Sequence, residues 1–189
     1  MPTSPVKLFG LSGSLRKGSF TRAILKTMAE AVASQAQVEI GDLGSIPLFN
    51  QDDEGDRTPA SVIAMRKAVT DSQGIVIVTP EYNHGTSGVL KNCIDWLSRP
   101  PNPCLVGKPV LVLSSSPGAL GGVRAQPQLR ETLRACGARP IMNGEIVIGG
   151  VSAKITDGKL TDKASLDFAL KGLQQLINEV QGSSAAKAA

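Results

Sequence analysis

Apolar and polar positions follow two rhythms along the chain. Residues 6–11 form a first β-prone apolar run. Phe20, Ile24, Met28 and Val32 then recur at four-residue steps with Leu25 beside them, the buried stripe of a helix. Residues 38–43 read as a second, weaker strand. Thr58 before Pro59 predicts an N-cap and an N1 proline, opening a helix with Val62, Met65, Arg66 and Val69 on one side. Residues 74–79 are a glycine followed by four aliphatic residues and a threonine, without alternation. Such a strand is covered on both faces, as in a parallel sheet. Residues 89–97 predict a helix stopped by Pro100 and Pro101. It carries apolar residues on more than one side, which predicts a homo-oligomer burying part of it. Residues 110–113 are another continuous apolar run. Leu129 and Leu133 mark a helix ending at Gly137, and residues 146–148 a last strand. Leu166, Leu170, Leu173, Ile177 and Val180 mark a closing helix, and the small, polar residues 182–189 read as a frayed, disordered tail.

Five strands alternating with helices predict an α/β fold, a parallel sheet with helices on both faces, in one domain over residues 1–181. Ligands in such sheets sit beyond the carboxyl ends of the strands, where strand order reverses. Attention therefore falls on the loops after residues 11, 79 and 113.

Composition narrows the function classes. The chain has 189 residues, 41% hydrophobic and 19% charged, which suits a globular domain. A net charge of +4 with 3% aromatic residues does not suggest a nucleic-acid partner. Three widely spaced cysteines and a single histidine make neither a disulfide framework nor a zinc site. No apolar run reaches the ~18 residues of a membrane span. The expectation is a cytoplasmic protein.

The first loop holds Gly13, Ser14, Leu15, Arg16, Lys17, Gly18, Ser19, Phe20 and Thr21. Two glycines that free backbone N–H groups, several hydroxyls, a following helix N-terminus and Arg16 together suit a phosphate. Gly13 and Gly18 have P-loop spacing, but Ser19 stands where the lysine belongs. No acidic residue is placed after the second strand for an adenosine ribose, so a single terminal phosphate fits best. The second loop concentrates Pro80, Glu81, Tyr82, Asn83 and His84, including the chain's one tyrosine and one histidine, where a flat heterocycle could be read. The third loop, residues 114–122, carries three serines and three glycines that allow close backbone approach to a ligand. Cys93 reads as packing and Trp96 as core or interface.

These motifs, Gly13 to Phe20 and Pro80 to Gly85 above all, then residues 90–98 and 118–122, resemble the NADPH-dependent FMN reductase family, its bacterial chromate and quinone reductases most closely. The resemblance covers residues 6–180. It implies a flavodoxin-like three-layer sandwich, a five-stranded sheet in the order 2-1-3-4-5, bound FMN, and NADPH or NADH as reductant. It implies two-electron transfer through flavin N5 to quinones, with chromate, azo dyes or ferric complexes as further acceptors, and a homodimer or homotetramer. By position, it implies that Ser14, Leu15, Arg16, Lys17, Gly18, Ser19, Phe20 and Thr21 surround the FMN phosphate. Thr21 keeps a hydroxyl where the family usually has Asn. Pro80, Glu81, Tyr82, Asn83 and His84 would lie along the isoalloxazine, with Ser116 also at the flavin. Arg124 matches an arginine that joins tetramer contacts in some relatives, although its neighbours here differ. No side-chain acid, base or nucleophile is expected.

Other readings remain. A flavodoxin-type electron carrier would share fold and cofactor, but such carriers are strongly acidic and this chain is basic. A redox-responsive regulator, the binding-module alternative, would need a partner surface. A P-loop hydrolase lacks its lysine and a magnesium-binding Asp after residues 74–79.

Overall fold

The computed structural model describes residues 5–101, 103–142 and 144–188, with side chains described through residue 183. β1 (Val6–Ser12), β2 (Ala36–Ile40), β3 (Gly74–Thr79), β4 (Pro109–Ser115) and β5 (Arg139–Pro140) form a parallel sheet in the order β2-β1-β3-β4-β5. This is the flavodoxin-like order. A short β6 (Ile146–Ile148) also pairs with β4. α1 (Phe20–Ala31) and α5 (Lys163–Ala188) cover one face; α2 (Ala60–Asp71), α3 (Gly88–Leu97) and α4 (Ala125–Ala135) cover the other. An antiparallel hairpin of β7 (Ile155–Thr156) and β8 (Lys159–Leu160) lies outside the sheet, tied to α1 by Lys159–Glu30 and by Leu160 N donating to Thr27 Oγ1.

Side-chain alternation divides the core. Leu8, Val76, Val78, Leu111 and Leu113 pack with Ile24, Leu25 and Met28 of α1 and Leu173, Leu176 and Ile177 of α5. Phe9, Leu11, Ile75, Ile77, Val110 and Val112 pack with α2, α3 and α4. β3 and β4 are buried at every position, which is why residues 74–78 and 109–113 run apolar without a break.

The structure shifts several boundaries. The second strand spans Ala36–Ile40; Gly41 ends it, and Leu43 opens a 3-10 turn in which the Asp42 carboxylate accepts from Gly44 N. Asp42 therefore stands just past the strand, where an acid was not expected, but it is spent on its own turn. Pro59 occupies the cap position of α2 rather than N1, and the Thr58 hydroxyl donates to Gly55 O instead of capping. Arg66 leaves the apolar side of α2 and donates to Arg99 O. α3 ends at Leu97, before the two prolines. The fifth strand position is shared: Pro140 lacks an N–H on the edge, the chain departs after Ile141, and it rejoins β4 at Ile146. α5 continues past Gly182 to Ala188. A frayed tail was expected there, and Ala189 lies outside the described residues.

The second apolar side of α3 is covered from within the chain. Residues 43–58 run as short 3-10 turns over it, burying Leu43 and Ile46. Trp96 is 1% exposed, donates Nε1–H to Pro47 O at 3.0 Å, and meets Phe49 edge-on with centroids 4.9 Å apart. Asn92 holds the same segment, accepting from Phe49 N and donating to Pro47 O. The breadth of the apolar surface on α3 thus belongs to the monomer. Cys93 is fully buried there, and burial pushes its thiol up to about 12, a packing residue without nucleophilic character.

Candidate functional site

The strand order reverses between β1 and β3, so the crevice at their carboxyl ends is where this sheet binds ligands. Register places the three loops side by side. Ser12 faces Val78 across β1 and β3, and Thr79 faces Ser114 across β3 and β4. The first two loops touch at Gly13, where a Cβ would lie 2.7 Å from Pro80 Cδ and 3.0 Å from Ser87 Oγ. Gly13 is needed for this approach, and its N–H is spent on Val78 O. Nothing surrounds Gly18, and neither glycine has a positive φ, so their role in freeing N–H groups is not what the backbone shows. The second and third loops touch where Gly122 lies against Glu81 and Ser114.

In the first loop Ser19 is the N-cap of α1, its Oγ accepting from Arg22 N at 3.2 Å. The N–H groups of Phe20 and Thr21 precede any intrahelical acceptor and form the positive end of the helix. Ser14, Ser19 and Thr21 are buried; Leu15, Arg16, Lys17 and Gly18 are exposed and Phe20 half-buried. The Arg16 guanidinium lies 5.5 Å from the Phe20 ring centroid.

The second loop is a tight turn. Tyr82 N donates to Gly85 O and Gly85 N to Tyr82 O, while Asn83 (φ 50°) and His84 (φ 63°) occupy the left-handed region at its tip. The base of the turn is held from α4: Gln128 Oε1 accepts from Thr86 N at 2.7 Å. Glu81 Oε2 accepts from Arg124 N at 2.9 Å, and Arg124 Nη1 lies 3.1 Å from His84 Nε2. Arginine only donates, so His84 Nε2 is the acceptor in this contact. Glu81 and His84 are thus tied to Arg124, while Tyr82 stands 50% exposed.

In the third loop Ser116 Oγ accepts from Gly118 N, and its backbone bonds to Ile148 O and Val151 N. Its glycines approach protein rather than ligand. Gly121 has φ +58°, and a Cβ there would lie 2.8 Å from Gly149 N, so the third loop is pressed onto the loop after β6.

Three further hydroxyls escaped the sequence reading. Thr86 Oγ1, Ser87 Oγ and Ser115 Oγ are buried at the roots of the second and third loops without a hydrogen-bond partner. Buried hydroxyls are ordinarily paired, so these fit a polar ligand laid across the loops. Their only signal in the sequence was position, one at the end of β4 and two before α3. A ligand with one phosphate and a flat ring suits the helix terminus, the hydroxyls and the uncovered Tyr82 ring, and FMN has those parts. A cavity of about 520 Å³ at the opposite end of the sheet has its charges committed to the fold: Lys108 donates to the carbonyls of Thr70 and Ser72, and Arg139 pairs with Glu179. Among the described residues no cluster of His, Cys, Asp and Glu could hold a metal, and no helix is long and apolar enough to cross a membrane.

Comparison with known proteins gives the family and the fold. The model of the NADPH-dependent FMN reductase family matches residues 6–153. The chain is 37% identical over 172 residues to the NAD(P)H-dependent FMN reductase of Pseudomonas aeruginosa, covering 90% of this chain and 93% of that protein. It is 41% identical over 162 residues to the quinone reductase of Escherichia coli K12, covering 83% and 86%. The solved structure of FerB, a flavoenzyme NAD(P)H:(acceptor) oxidoreductase from Paracoccus denitrificans, superposes with a TM-score of 0.84 at 27% identity, covering 94% of this chain and 98% of that one.

Proposed function

The chain belongs to the NADPH-dependent FMN reductase family, and from that premise we propose that it is an NAD(P)H oxidoreductase that delivers two electrons to quinones, with chromate, azo and ferric compounds as further acceptors. The observation that carries this reading is the meeting of the three loops at the switch point. There a helix terminus suited to one phosphate stands beside an uncovered aromatic turn.

In this proposal Ser14, Arg16, Ser19 and the N–H groups of Phe20 and Thr21 hold the phosphate, with Leu15, Lys17 and Gly18 walling it from solvent. Pro80, Glu81, Tyr82, Asn83, His84 and Ser116 lie along the ring system. FMN, when bound, supplies the redox chemistry, and the protein orients it. Arg124 fixes Glu81 and His84, so the turn is a rigid platform rather than a source of protons. Tyr82 provides a flat surface at the mouth, against which a planar reductant or acceptor is ordered.

A homodimer or homotetramer and a cytoplasmic setting are part of the proposal. Leu48, 83% exposed, stands on the segment covering α3 and supports the first; three free thiols support the second. Absorption spectroscopy tests the activity. The purified protein should show flavin absorption that survives gel filtration, bleaches with NADPH or NADH, and returns on adding a quinone without any partner protein. Bleaching without steady-state turnover would favour the electron carrier or regulator instead.

A further inference from the structure

Three buried hydroxyls stand in line beneath the mouth of the first loop. Thr21 Oγ1 lies 2.9 Å from Ser12 Oγ and 2.9 Å from Ser19 Oγ. Ser19 Oγ also accepts from Arg22 N. Thr21 is 2% exposed, and among the described residues its hydroxyl has no other partner.

A hydroxyl carries one proton and accepts others. Were Thr21 to accept from both serines, its own O–H would be the one left over, at the most buried of the three sites, 2% exposed against 5% for Ser19 and 6% for Ser12; it therefore donates to one serine and accepts from the other. Three groups hold three protons, and the two bonds between them use two. The proton left over belongs to an end of the chain: Ser19 if donation runs from Ser12 through Thr21, or Ser12 if it runs the other way. Ser19 is the end beside the open N–H groups of α1, where an anion is favoured and attracts a donor.

We propose that the Thr21 hydroxyl is a positioning group, acting on a bound phosphate monoester through Ser19 and not by touching it, whatever the Thr21 N–H contributes. That hydroxyl takes the proton of Ser12 and gives its own to Ser19, which turns the Ser19 O–H outward to the anion. The inference rests on the phosphate placement given under Proposed function.

The test titrates the full chain with FMN and with riboflavin, which differ only in the phosphate monoester, and reads binding from flavin fluorescence. Thr21→Val keeps the shape and removes the hydroxyl. It should weaken FMN roughly three- to tenfold, the order of one hydrogen bond, and leave riboflavin within about twofold. Thr21→Ser should restore FMN binding. In a Ser19→Ala background Thr21→Val should add nothing, because its effect runs through Ser19. Should Thr21→Val not fold, Thr21→Ala carries the same comparison. No loss of FMN affinity, an equal loss for FMN and riboflavin, or the full loss persisting in Ser19→Ala would each overturn the proposal. If Ser19→Ala alone weakens both flavins equally, the phosphate placement fails first, and the role of Thr21 fails with it.

Discussion

Tyr82 and Arg16 are the residues on which the site can be probed most directly. The Tyr82 hydroxyl has no hydrogen-bond partner among the described residues, while its backbone closes the turn with Gly85. A positioning role predicts that Tyr82→Phe loses less than about tenfold in flavin reduction by NADPH, or ~1.4 kcal/mol. Tyr82→Ala should lose more, through a less ordered nicotinamide site. Acid catalysis by the phenol predicts both variants equally slow, by about 10²-fold or more. Stopped-flow bleaching, with reoxidation by quinone timed separately, distinguishes the two. For the phosphate loop, Arg16→Ala combined with Ser14→Ala should cost roughly 2–4 kcal/mol in FMN binding. Equilibrium dialysis checks it, and unchanged FMN retention would remove these residues from the site. What could be read of single residues divides sharply. Residue type and order placed Ser14, Arg16, Ser19 and the Pro80 turn on neighbouring loops. They could not show that Thr21 is engaged with two other hydroxyls, or that Ser87 and Ser115 are buried unpaired, because those facts depend on where the strands end relative to one another.

At the level of elements, legibility followed burial. β3 was readable to the residue, since both its faces are covered and its sequence is continuously apolar. β2 lies at the sheet edge with every second residue buried or half-buried, and its boundaries slid by two residues at the start and three at the end. The broad apolar surface of α3 was read as an interface, because nothing in local periodicity distinguishes a partner subunit from residues 43–58 of the same chain. α5 carries a testable pH dependence at its start. The Asp162 carboxylate accepts from Ser165 N at 2.9 Å, and hydrogen bonds from Ser165 hold its pKa below the ordinary Asp value. A lowered folded pKa means stability present above the unfolded value and lost as pH falls through the folded one. Asp162→Ala should therefore lower Tm at neutral pH, and the difference from wild type should vanish in acid below the normal carboxylate range. Circular dichroism melts across that window decide it; a gap that is constant with pH would mean the carboxylate charge plays no part.

For the whole molecule, the layered α/β architecture was legible from the alternation of strands and helices, and the family's motifs gave the strand order. Association was not, since the monomer accounts for the α3 surface by itself. Light scattering at micromolar concentration with FMN bound should nonetheless give at least a dimer; a monomer would count against the proposed assembly. One further consequence comes from α5. The face of the sheet behind β1, β3 and β4 is walled by Leu173, Leu176, Ile177 and Val180. α5 reaches back across most of the chain to cover a strand that begins at Val6, and contacts so far apart in sequence are slow to form. A chain in which β1, β3 and β4 have paired while α5 is still undocked presents a bare apolar wall, and that species is the one most exposed to aggregation and chaperone capture.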